Sequence, residues 1–250
     1  TFLENPDDVY YALVEDRSMS YRMERAVPKT PTQQELVNWL IEDVDMDRLT
    51  WIIEDMAALN NRYAFSDTGV QASEYIYNYI TSIITEYSAQ DYVHVDYFTH
   101  NFTDSKGKKT KQKSVIATIK GQGEGNLRDE IIIHCAHLDS INTTNPNDRE
   151  TARAPGADDN ATGVSNVLEA FNVLVRNQII PLRTVEFHFY AGEELGLKGS
   201  LEVAERYKRD KKNVAAVLNM DMTGYTKDGK TCYILTGDVD YVDAELADLS

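Results

Sequence analysis

The chain has 250 residues, 42% hydrophobic and 26% charged, with 41 acidic against 25 basic residues and a formal charge of −16. Such a composition can bury a sizeable core, which argues against disordered, collagen-like and coiled-coil classes, and the length allows one large domain or two small ones. The acidic balance argues against a nucleic-acid partner, because phosphate backbones are held by concentrated Lys and Arg.

The first 30 residues are acidic and Tyr-rich without clear periodicity and read as an N-terminal arm or processing remnant. The run Pro28-Lys29-Thr30-Pro31-Thr32 marks the boundary to a regular domain over 31–250. Thr1 follows no basic n-region and no apolar h-region, as in a trimmed, mature product. No apolar run approaches the ~20 residues that span a bilayer, so no membrane partner is expected.

From Thr32, Leu36, Trp39 and Leu40, then Leu49, Ile52, Ile53 and Met56, predict two short helices broken near Asp43 to Asp47. Ala72, Tyr75, Ile76, Tyr79, Ile80 and Ile83 predict one amphipathic helix over Gly69 to Tyr87. The period then changes to two, and Tyr92 to Phe98 and Ser114 to Ile119 read as an antiparallel pair. Between them, Lys106, Lys108, Lys109, Lys111 and Lys113 read as a solvated hairpin tip.

Glu130 to Cys135 is a nearly continuous Ile run, as in a strand buried on both faces. Helices over Gly163 to Val175 and Leu201 to Tyr207 then alternate with strands over Thr184 to Tyr190 and Asn213 to Met220, and Val239 to Leu249 has the pattern of a last helix without a cap. The alternation predicts an α/β three-layer sandwich, with a mixed, largely parallel central sheet and helices on both faces. Cys135 and Cys232 read as small buried strand residues, and glycosylation-type triplets at Asn101, Asn142 and Asn160 do not settle the compartment.

In such a sheet, functional groups gather just beyond the carboxyl ends of the strands. Those positions carry His137-Leu138-Asp139-Ser140, then Asp158-Asp159-Asn160 entering a helix, then Glu193-Glu194, then Asp221. Each has a plain alternative when taken alone: a hydrogen-bonded core histidine, a helix N-cap, solvated charges, a turn residue. Together, carboxylates brought to one sheet edge would repel unless a cation neutralised them, and one His with several carboxylates suits zinc, manganese or a similar ion.

The stretches "HLDS", "PGADDNATG", "AGEELGLKGS" and "NMDMTGY" resemble, in order and spacing, the co-catalytic di-zinc aminopeptidases of the bacterial secreted leucyl aminopeptidase type. The resemblance covers the chain from about Thr32 to Leu249. It implies two Zn2+ ions, one held by His137, Asp159 and Asp221, the other by Glu194, the bridging Asp159 and a further His. It also implies that Asp139 orients His137 and that Glu193 is the general base. Two cations about 3.5 to 4 Å apart can share and activate a water while polarising a carbonyl. The expected reaction is removal of the N-terminal residue, large and apolar, from peptides with a free N-terminus, by a monomer secreted or periplasmic after loss of a signal peptide. Met222 and Leu235 are the expected pocket wall.

The family supplies its last His from far downstream, whereas no histidine follows His188 here. This favours a catalytic domain incomplete at its C-terminus over a weak second site, in keeping with the uncapped final helix. Three rivals stand beside the aminopeptidase: a glutaminyl cyclase-like single-zinc enzyme, a carboxypeptidase of the same superfamily, and a non-catalytic receptor or interaction domain.

Overall fold

The computed structural model describes residues 30–144, 147–227, 229 and 243–247. The N-terminal arm, Cys232, Leu235 and most of the last predicted helix lie outside the described residues. Two compact units are distinguished, Val44–Gly224 and a second made of Thr1–Asp43 with Tyr225–Ser250. In the second, helix α1 (Gln34–Glu42) has no buried residue, and Ala244–Ala247 forms one helical turn, α6.

The unit Val44–Gly224 begins with α2 (Met46–Ala58), where Asp45 caps the helix by accepting from the Asp47 and Arg48 N–H groups. Helix α3 (Asp67–Glu86) starts where the Ser66 hydroxyl accepts the Gly69 N–H at 2.9 Å. Its apolar stripe, Ala72, Ile76, Ile80 and Ile83, is buried at helical spacing. Five strands follow: β1 (Val93–Phe98), β2 (Ser114–Ile119), β3 (Glu130–His137), β4 (Thr184–Tyr190) and β5 (Asn213–Asn219). Helix α4 (Gly163–Arg176) joins β3 to β4, and α5 (Lys198–Arg209) joins β4 to β5.

The sheet order is β1-β2-β4-β3-β5. The pairs β4–β3 and β3–β5 are parallel. The antiparallel part extends one pairing beyond the predicted hairpin, because β2 also runs antiparallel to β4. On one face, Val115, Ala117, Ala136, Leu138, Phe187 and Phe189 pack with the apolar stripes of α2, α3 and α4 into the main core. Phe171 of α4 meets Phe187 edge-on at 5.3 Å between ring centroids, a contact contributing about 1 kcal/mol beyond area burial.

The alternate residues point to the other face, where Ile131, Ile133 and Cys135 pack with Tyr190 and with Tyr207 of α5. That face also buries a polar chain: Tyr207 donates to Glu186 at 2.7 Å, and His188 bonds both Glu186 and the Tyr190 hydroxyl at 2.9 Å. Helices therefore cover both faces.

Two expectations are corrected. The strand β3 is not sealed throughout: Ile132 and His134 are only half-buried, and they pair in register with Ala216 and Leu218 of β5, where Val217 and Leu218 are each 50% exposed. The lysine-rich tip is not simply solvated. Lys108 donates to the Phe65 carbonyl and pairs with Glu150, and the Lys113 ammonium lies 4.4 Å from the centre of the Tyr97 ring. In addition, Asn160 is fully buried, so its triplet is no surface acceptor.

Candidate active site

The connection β3–α4–β4 lies on one face of the sheet, and β4–α5–β5 crosses β3 along the other. The chain thus leaves β3 and β4 in diverging directions, which opens a crevice at the carboxyl edge. His137 is the last residue of β3, Glu193-Glu194 follow β4, Asp221 follows β5, and Asp159 precedes α4. The fold brings these separate segments to one place.

His137 is 3% exposed, and its Nε2 lies 3.0 Å from Asp159 Oδ1 and 3.5 Å from Asp221 Oδ1. One donor atom from each of the three residues falls within 4.8 Å of the others. Ligands held tetrahedrally at about 2.0–2.1 Å from zinc stand roughly 3.3 Å apart, and the two observed separations bracket that spacing. The donor set of one imidazole nitrogen and two carboxylates therefore fits a zinc-like ion. Glu193 Oε2 stands 4.0 Å from the same nitrogen, beside the three donors.

The charges of the site are poised for a cation. Burial opposes protonation of His137, yet Asp139, Asp159 and Asp221 together lift its pKa well above the usual range. Asp159 is held below the usual carboxylate range, chiefly by its bond to His137. Burial, with repulsion from Asp139, Asp221 and Asp159, raises Glu193 against the pull of His137. Glu194 stands outside the three-donor group and is pushed up to about 8, first by burial and then by Asp159 and Asp139. A bound cation would oppose the upward shifts of Glu193 and Glu194 and deepen the downward one of Asp159, by favouring every ionised carboxylate.

Asp139, fully buried, accepts the Glu193 N–H at 2.9 Å on Oδ1 and the Glu194 N–H at 3.2 Å on Oδ2. It thereby fixes the short turn Glu193–Leu195. Its Oδ1 is 3.6 Å from His137 Nδ1, beyond hydrogen-bond range, and that nitrogen has no other partner among the described residues. The turn is braced from behind. The Ser114 hydroxyl accepts the Ala191 N–H at 2.9 Å and bonds His100 Nε2 at 2.7 Å, while His100 Nδ1 meets Glu202 at 2.9 Å. Gly192 has φ +65°, and a Cβ there would lie 2.5 Å from the Phe102 ring.

The adjacent acids Asp158 and Asp159 have different tasks. Asp158 Oδ1 accepts the Gly224 N–H and the Thr162 hydroxyl, whereas Asp159 faces His137. Sequence reasoning gave Asn160 no role at the site. Its Oδ1 accepts the Gly163 and Met222 N–H groups and its Nδ2 donates to the Met220 carbonyl, so it ties the Asp159 loop to the Asp221 segment. Its place inside the Asp-Asp-Asn run was the available signal. Met222 is 43% exposed at φ +49°, and Leu235 lies outside the described residues. Beside the site is a 460 Å³ cavity, mostly apolar, lined by Tyr190, Leu197 and Val217 with His137, Glu193 and Asp221. Met222 is not among its lining residues.

The geometry gathers a donor set that could hold a metal ion at the carboxyl edge of a mixed α/β sheet. Residues 114–249 match the model of peptidase family M28, and the chain belongs to that family. It is 37% identical over 207 residues to a probable leucine aminopeptidase of Arthroderma otae, a match covering 81% of this chain and 51% of that one. Among solved structures, it is similar to LapB of Legionella pneumophila, with TM-score 0.67 and 28% identity over 80% of this chain and 50% of that one. It is also similar to LapA of the same organism, with TM-score 0.72 and 25% identity over 90% of this chain and 56% of that one. The chain spans about half the length of the relatives it matches.

Proposed function

We propose that this chain carries the metal-binding part of a zinc aminopeptidase that removes large apolar N-terminal residues from peptides. The observation that carries the reading is the convergence of His137, Asp159 and Asp221 with Glu193 alongside. These three residues would hold one zinc, and Asp159 and Glu194 would contribute to a second, completed by a histidine that does not follow His188 in this sequence. When bound, zinc supplies Lewis acidity to a water and to the scissile carbonyl.

Glu193, free of the three-donor group and with its proton affinity raised by burial, takes the proton of the attacking water as its oxygen bonds to the scissile carbonyl carbon, and passes that proton to the leaving amine as the C–N bond breaks. Asp139 keeps that carboxylate in place through the Glu193 N–H. The acidic surroundings favour a substrate ammonium group, and the adjoining apolar cavity supports a preference for an apolar side chain.

The test uses the full-length protein on leucyl anilide and on the same compound acetylated at its amine. The free amine is cleaved and the acetylated one is not. Glu193→Gln retains zinc but loses about 10²-fold or more of the rate. Full activity in that variant, or equal cleavage of the acetylated compound, refutes the reading. Two zinc ions per chain by elemental analysis support the co-catalytic version, and one ion reduces it to a single-zinc enzyme.

A further inference from the structure

The side chain of Arg62 is completely buried in a protein whose charge is strongly negative, and no carboxylate among the described residues lies within ion-pair distance of it. Its partners are main-chain carbonyls. Nε donates to Leu138 at 2.8 Å, Nη1 to Pro155 at 2.5 Å and to Met56 at 3.3 Å, and Nη2 to Gly156 at 2.8 Å. Leu138 sits between His137 and Asp139, and Pro155-Gly156 begins the loop that delivers Asp159. The Arg62 N–H adds a parallel tie, donating to Ser140 Oγ at 3.0 Å, which itself donates to the Ala154 carbonyl at 2.8 Å.

Gly156, at φ +51°, is packed among three groups: a Cβ there would lie 2.3 Å from the Asp159 carbonyl oxygen, 2.6 Å from Ser140 Cβ and 2.7 Å from Nη2. A planar fork of five donors can span three chain segments in this way, and an ammonium cannot. Burying an unpaired guanidinium is costly, and the fields of Asp139, Asp159 and Glu194 are what favour the cation here.

The geometry points to Arg62 as the positioning residue of the metal site, clamping the end of β3 to the Asp159 loop while its charge offsets the crowded carboxylates before a metal arrives. This rests on the zinc reading above. A residue that shapes the ligands from outside the coordination shell typically changes metal affinity by about 10- to 100-fold.

The test measures zinc dissociation constants by chelator competition on the full-length wild type, Arg62→Lys, Arg62→Gln and a control, Ile80→Ala, which removes core packing from α3. Arg62→Lys keeps a charge but cannot reach all four carbonyls, and Arg62→Gln keeps two N–H donors without the charge. Both should bind zinc about 10-fold or more weakly, while Ile80→Ala lowers the melting temperature and leaves zinc affinity within about two-fold. Should Arg62→Lys fail to fold, Arg62→Gln decides alone. Unchanged affinity, or an equal loss in the control, overturns the role of Arg62. A wild type that binds no zinc overturns the metal reading itself and is thereby told apart.

Discussion

Replacing Asp139 by Asn probes the turn that presents both glutamates. The carboxylate accepts two backbone N–H groups, from Glu193 and Glu194, with no exposure to water. Asn offers one oxygen, so one amide is left facing an NH2 group. Hydrogen bonds to charged groups contribute about 1.5–3 kcal/mol each, and a buried donor without a partner costs about 1–3 kcal/mol. A loss of roughly 2–3 kcal/mol follows, equivalent to a melting temperature lower by about 5–10 °C for a domain of this size.

The loss also depends on pH. Asp139 favours protonated His137 and opposes ionised Glu194, so its benefit is largest where His137 is charged and Glu194 neutral. The difference between wild type and Asp139→Asn should therefore shrink as pH rises through about 8. Thermal melts of the metal-free proteins at several pH values measure it. Melting temperatures agreeing within about 1 °C throughout would show that the two amides do not depend on this carboxylate.

Gly192→Ala meets both a left-handed backbone and the Phe102 ring, and should cost about 1–3 kcal/mol; Phe102→Leu in the same chain should recover part of that in a double-mutant cycle, and no recovery would locate the cost elsewhere. Burial lowers the pKa of His134 to about 4, so the unfolded chain takes up that proton first. Its contribution is fully present above the unfolded value near 6.5 and is lost as pH falls toward 4, by up to roughly 3 kcal/mol; His134→Leu should flatten that part of the stability profile, and an unchanged slope would refute it. Chelation should lower the melting temperature and added zinc restore it, with the restoration abolished in Asp221→Ala; a melt indifferent to zinc in the wild type would count against the site.

The strands β2 and β4 have the bounds expected of them, Ser114–Ile119 and Thr184–Tyr190, because short runs rich in β-branched and aromatic residues favour extended backbone. The meeting of His137, Asp159 and Asp221 was legible because strand ends are fixed by the same patterns and the carboxyl edge gathers chemistry. What remained hidden depends on partners distant in sequence. Arg62 looks like a polar residue after a helix until Leu138 and Pro155 close around it. Asp139, read as the partner of His137, spends its oxygens on two amides of another segment. The Lys-rich tip looked solvated because nothing local announces Phe65 or Glu150 as neighbours of Lys108.

The contacts behind Gly192 give the loop joining β1 to β2 a reach beyond its own surface. His100 and Phe102, both from that loop, bear on Ala191 and Gly192 through Ser114 and by direct packing. An insertion or deletion in this hairpin would be transmitted to the peptide just ahead of Glu193. Variation in an outlying loop can thus shift the Glu193 carboxylate without altering any residue beside it.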